Sequence, residues 1–409
     1  MKKLLMPLLA AACLNLTGCS TISDWFADDE ELEIKKLEPI QAQFSPTEVW
    51  EQSMGNGVSH YFSRLKPAVA YGMVFAANRQ GKVAAFEQAS GKKVWDKDFA
   101  IYSEEGFFSG LSRLWSSGVS AKLAGGMSVA YDTLYFGSEN GDVYALVAKT
   151  GELKWHKTVK GEVLAAPAID SGVLVVSTTS GLLVALDAQS GEQLWTYESE
   201  VPPLSLRGVS AATAAAGGAI VGTASGKLVV NILESGQTAW EQAISAPSGA
   251  TELDRIVDID SRPLVSGSQV FVISNDGTLA SVELRSGRVM WQREYKSYRR
   301  LTQSTANLFL VDNDSNVYAL DIRNGVELWS QSGLKRRQLT AAEPIGDYVV
   351  VGDKFGYLHW LNQSDGQIVS RLAVGDDDED EAIYSSPVVE GKMLYTQTRD
   401  GKLVAISIP

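Results

Sequence analysis

The chain has 409 residues, a formal net charge of −13 at pH 7, and 45% hydrophobic against 21% charged residues. So acidic a protein is a poor partner for nucleic acid and is not drawn to anionic lipid. Its two cysteines are Cys13 and Cys19; the first goes with an N-terminal leader, so no internal disulfide forms and the fold stands on its apolar core.

Residues 1–18 read as a secretory leader. Lys2 and Lys3 precede an apolar run from Leu4 to Leu16, short of the ~20 apolar residues a membrane-spanning helix needs. The run ends in Leu16-Thr-Gly-Cys19, which looks like a bacterial lipobox. In such lipoproteins the cysteine becomes the acylated N-terminus, so Cys19 is expected to carry lipid. Several acyl chains on one residue anchor stably, at about 0.8 kcal/mol per buried CH₂. Ser20, where an Asp would favour the inner membrane, points to the outer membrane and its periplasmic face. Residues 19–43 then form the lipidated N-terminus and an acidic linker, Asp28-Asp-Glu-Glu-Leu-Glu, read as a solvated tether.

From residue 44 to residue 409 the chain repeats itself. The phrase that starts at Gly141 and runs through Gly151 to Trp155 reads as strand, tight turn, strand. It recurs at Gly81…Gly91…Trp95, Gly181…Gly191…Trp195, Gly226…Gly236…Trp240 and Gly277…Gly287…Trp291. Ser315…Gly325…Trp329 keeps it with one exchange, and Gly356…Gly366…Ser370 loses the Trp. The second glycine stands where a hairpin needs φ > 0. Both faces of the first strand are apolar, as in a sheet stacked between like sheets. Two further strand-like runs precede each phrase, and the phrases recur every 38 to 60 residues. Four antiparallel strands per repeat predict an all-β, eight-bladed β-propeller. The eighth phrase breaks off after Gly401, whereas Trp50 matches the missing Trp strand. The N-terminal strand is therefore expected to complete the C-terminal blade and close the ring. In blade seven, Trp360 is expected to fill the space that Ser370 leaves.

Four segments interrupt the blades. The spacing of Phe107, Phe108, Leu111, Leu114 and Trp115 would put them on one face of a short helix in an insertion, read as an exposed contact site or as a cap over the blade. Leu204, Leu206 and Arg207 sit on a loop stiffened by Pro202 and Pro203, offering apolar area and a forked donor. Asp258 and Asp260 alternate with Val257 and Ile259, so both carboxylates face one way if the segment is extended, open to a cation or a partner's Arg. Calcium is the weaker reading, since it wants six or more oxygens. Both loops should emerge on the same face; Arg207 pairs either with a partner or internally with an Asp. The acidic run Asp376 to Glu381 reads as a solvated loop.

His60, His156 and His359 stand far apart, and neither a nucleophile elbow nor a phosphate loop is present. No catalytic residue, cofactor or metal is expected. The blade phrase is similar to that of quinoprotein dehydrogenases, propellers that hold PQQ in the central channel. This chain is shorter and lacks the cysteine pair many of them carry. The lipobox, Leu204-Ser-Leu-Arg-Gly208, Thr251-Glu-Leu-Asp-Arg255 with Asp258 and Asp260, and Gly356-Tyr-Leu-His-Trp360 together resemble the BamB family. These are propeller lipoproteins of the outer-membrane β-barrel assembly machinery. The resemblance implies a non-enzymatic scaffold whose two loops dock on the periplasmic domains of BamA. Other lipoproteins of that machinery and nascent β-barrel proteins are further partners it implies. The alternative is a quinoprotein-like dehydrogenase or a small-ligand-binding propeller.

Overall fold

The computed structural model describes residues 33–61, 63–101, 118–208, 210–248, 250–375 and 377–409. The leader, Cys19 and the apolar cluster from Phe107 to Trp115 lie outside the described residues. After β1 (Thr47–Ser53), blade one is built from β2 (Ala68–Ala70), β3 (Met73–Ala77), β4 (Lys82–Glu87) and β5 (Lys93–Asp98). Six further blades repeat this order of four consecutive antiparallel strands. They occupy residues 123–158, 168–198, 213–243, 264–294, 302–331 and 343–373. Blade eight takes its three inner strands from residues 388–407 and its outer strand from β1, so the ring of eight is closed by the N-terminal strand as expected. All five residues of β3 are buried, because each blade is covered on both faces by its neighbours.

The phrase of the repeat has two jobs. Across the third and fourth strands its small residue lies directly opposite the Trp, as in Ala85↔Trp95, Ala145↔Trp155 and Ala185↔Trp195, and Ala405↔Trp50 completes the set at the closure. Each indole then reaches into the next blade. Trp155 Nε1 donates to Ala188 O at 3.1 Å, and a Cβ on Gly191 would fall 2.7 Å from its ring. The glycine is thus needed twice, for its φ of 73° and for the missing side chain beneath the indole. The same contact joins Trp50 to Gly91, Trp95 to Gly151, Trp195 to Gly236, Trp240 to Gly287, Trp291 to Gly325 and Trp329 to Gly366.

The join between blades seven and eight differs for a topological reason. Blade eight's third and fourth strands come from opposite ends of the chain, so no glycine turn links them and no indole has a seat there. Ser370 takes the Trp position, opposite Trp360, and its Oγ donates to Phe44 O at 2.8 Å. The Phe44 ring lies 6.1 Å from that of Trp360, edge-on. Residues 33–43 lie along blades six and seven: Lys35 N donates to Lys335 O at 3.1 Å and Gln43 N to Val369 O at 2.8 Å. Arg371 holds Glu38 O at 3.3 Å.

Candidate docking face

The connectors between blades and the turns between second and third strands emerge together, tied by backbone bonds such as Asn275 N to Asp258 O at 2.9 Å and Val163 N to Ser138 O at 2.9 Å. On this face the two singled-out loops interlock. Leu206 N donates to Asp258 Oδ2 at 2.9 Å. Gly208 lies so close to Asp260 that a Cβ there would fall 2.0 Å from its carboxylate oxygen.

The expectation of two outward carboxylates is corrected for Asp258. Val257, Asp258 and Ile259 are 2%, 2% and 1% exposed, because this connector is covered on both sides and alternation separates no solvent face. Burial pushes the Asp258 carboxyl up to about 6, against the amide bond from Leu206 that favours its charge. Asp258 holds the neighbouring loop; it is not offered at the surface. Asp260 is half-buried, and burial raises its carboxyl too, opposed by the charge of Arg64. Arg64 Nη1 also donates to Asp260 O at 3.3 Å.

Arg207 is paired internally, with glutamates and not with an Asp. It reaches Glu162 at 3.1 and 3.3 Å and Glu139 at 3.4 Å. Arg79 forks the same Glu139 at 3.1 and 2.9 Å, with its guanidinium 3.8 Å from the Tyr61 ring centre. Four charges from four separate segments thus form one chain, Arg79–Glu139–Arg207–Glu162. The hydrogen bond that Arg207 donates to Glu162 is the main cause of its raised pKa. Its side chain stays 56% exposed, so its outer edge is open to a partner. Leu206 is half-buried, but Leu204 is 44% exposed and Leu253, on the second loop, 72%. Sequence reading passed over Leu253, although it stands inside the Thr251-Glu-Leu-Asp-Arg255 motif.

The acidic run is partly neutralised in place: Glu379 accepts from Lys354 Nζ at 2.8 Å, and Glu381 lies 3.9 Å from Lys402. Among the described residues no group of three or more His, Cys, Asp or Glu is placed to hold a metal.

Fold and face together define an eight-bladed β-propeller with an ordered loop surface at one end of its channel. A family model described as "Outer membrane protein assembly factor BamB" matches residues 42–106 and 110–331. Proteins of that name are 53% identical in Alteromonas naphthalenivorans, over 98% of this chain and 96% of the relative, and 37% identical in Escherichia coli, over 100% and 99%. The crystal structure of BamB from Moraxella catarrhalis superposes with a TM-score of 0.76 at 26% identity, covering 88% of this chain and 99% of that one. The chain belongs to the BamB family of outer membrane protein assembly factors. The quinohemoprotein alcohol dehydrogenase of Comamonas testosteroni superposes with a TM-score of 0.66 at 12% identity, over 91% of this chain and 78% of that one. That likeness is one of fold alone.

Proposed function

We propose that this chain is a non-enzymatic scaffold of outer-membrane protein assembly, docking on the periplasmic domains of BamA and so aiding insertion of β-barrel proteins. In this reading acyl chains on Cys19 hold it at the periplasmic face of the outer membrane, beside the other lipoproteins of the machinery. The observation that carries the reading is the interlocking of the two loops through Leu206 and Asp258. It ties together the two loops that expose Leu204, Arg207 and Leu253, apolar anchors and a forked cation, a mixture suited to a protein partner. Leu206, Asp258 and Asp260 act by positioning that group.

The test is binding of purified BamA periplasmic domains to Arg207→Glu and Leu204→Glu. Loss of a desolvated charge contact typically costs ~2–5 kcal/mol, so binding should weaken about tenfold or more, with the melting temperature near that of the native protein. Unchanged affinity in both variants would move docking to another face.

A further inference from the structure

The channel opens on the same face, and its wall carries a repeated position. Aligned on strand pairing, the residue two before each innermost strand forms a ring. Lys66, Arg262 and Arg300 stand two before Ala68, Leu264 and Thr302, the starts of three such strands. The other five blades place only small residues there: Gly126, Ala166, Ala211, Ala341 and Ser386. Three long cations in a ring of small residues leave a hollow, and a cavity of about 430 Å³ is lined by them together with Arg64 and Arg299. That volume is of small-ligand size.

The charges do not balance within the wall. Arg300 is bonded to Glu343, and Arg64 is offset by Asp260. The Arg262 guanidinium donates Nε to the neutral hydroxyl of Thr213 at 3.2 Å, and Lys66 Nζ has no acceptor among the described residues. The Arg299 guanidinium lies 4.7 Å from the Tyr298 ring centre. Arg262 and Arg300 repel the Lys66 ammonium, with Glu343 the one carboxylate opposing them. A protein of net charge −13 thus gathers cations against one another around an open space.

We propose that this ring is a binding site for a small dianion of the phosphate or dicarboxylate class, seated between Lys66, Arg262 and Arg300. A dianion would meet the two ring cations that no carboxylate pairs with among the described residues, Lys66 and Arg262, while Arg299 and Arg399, which also line the cavity, add to the positive field, and the small residues supply the room. Charge-assisted bonds from guanidinium and ammonium groups suit such oxygens. The proposal does not rest on the docking reading, although Asp260 of the second loop lines the same cavity.

The test titrates the native protein with inorganic phosphate, succinate and the monoanion acetate by calorimetry at low ionic strength. Phosphate or succinate, whichever fits the ring, should bind with a Kd below ~1 mM and acetate should not. Burial and the neighbouring cations bring Lys66 down to about 8, so dianion binding at pH 8 should take up protons, seen as a buffer-dependent heat. Lys66→Met and Arg262→Gln should each weaken binding at least tenfold, whereas Arg323→Gln, remote from the channel, should not. The bound dianion should raise the melting temperature of the native protein but not of Lys66→Met. Absence of dianion binding, or equal binding by native protein and both ring variants, overturns the proposal. Neither result bears on partner docking.

Discussion

Trp360 lies directly across a strand pair from Ser370, reversing the order of bulk found in the other blades, where the small residue precedes and the Trp follows. Trp360 is fully buried. Trp360→Ala should therefore cost ~3–5 kcal/mol by chemical denaturation, and a loss below ~1 kcal/mol would contradict the volume exchange. Adding Ser370→Trp to that variant should recover little, since blade eight offers no glycine turn to receive the indole.

The two roles of the phrase glycine separate experimentally. Gly191 and Gly172 have φ of 73° and 79°, but a Cβ on Gly172 meets nothing within 4 Å. Gly172→Ala should cost ~1–2 kcal/mol of backbone strain. Gly191→Ala adds the clash with Trp155 and should cost ~1–3 kcal/mol more. Equal losses in the two variants would remove the indole seat from the account.

Asp258 is charged at neutral pH although burial opposes the charge. Its folded pKa, about 6, lies above the ordinary 3.8, so the group disfavours folding above pH 6. That penalty fades as pH falls through 6 and is gone below 3.8, where both states are protonated. Asp258→Asn keeps an acceptor for Leu206 N and should stabilise the protein by on the order of 1–3 kcal/mol at pH 7. The gain should shrink towards zero by about pH 4. A destabilised variant at pH 7 would show that the charge itself holds the loop.

Cys19→Ala tests the anchor. The variant should leave the membrane fraction and appear in the soluble periplasm, because no other acylation site is proposed. A variant that still floats with outer membranes after a salt wash would require a different attachment.

The blades were legible because their signal is local. Turn glycines, apolar residues on both strand faces and the Trp spacing all lie within 15 residues, from Gly141 to Trp155, and Trp50 sufficed to place the closing strand. Trp360 is buried and pairs with Ser370 across one hairpin, as the sequence led one to expect. What each Trp touches was not legible, since the receiving glycine belongs to the next blade. Arg207 shows the same limit: Glu162 stands 45 residues away in the chain, and nothing around either residue marks the pair. Alternation misled at Asp258 because burial on both sides of a connector leaves no polar face to read. The ring at Lys66 was within reach, but only by aligning the innermost strands, which are short and carry no glycine phrase.

Residues 33–43 give the protein a mechanical property. The strand that completes the ring is β1, held to the last blade by non-covalent pairing alone, and it lies just downstream of this segment. A pull from the N-terminal side is borne first where Lys35, Glu38 and Gln43 are clamped to blades six and seven, and β1 carries no load while the clamp holds. The segment works as a strain relief: a load applied upstream of Lys35 is not passed to the seam.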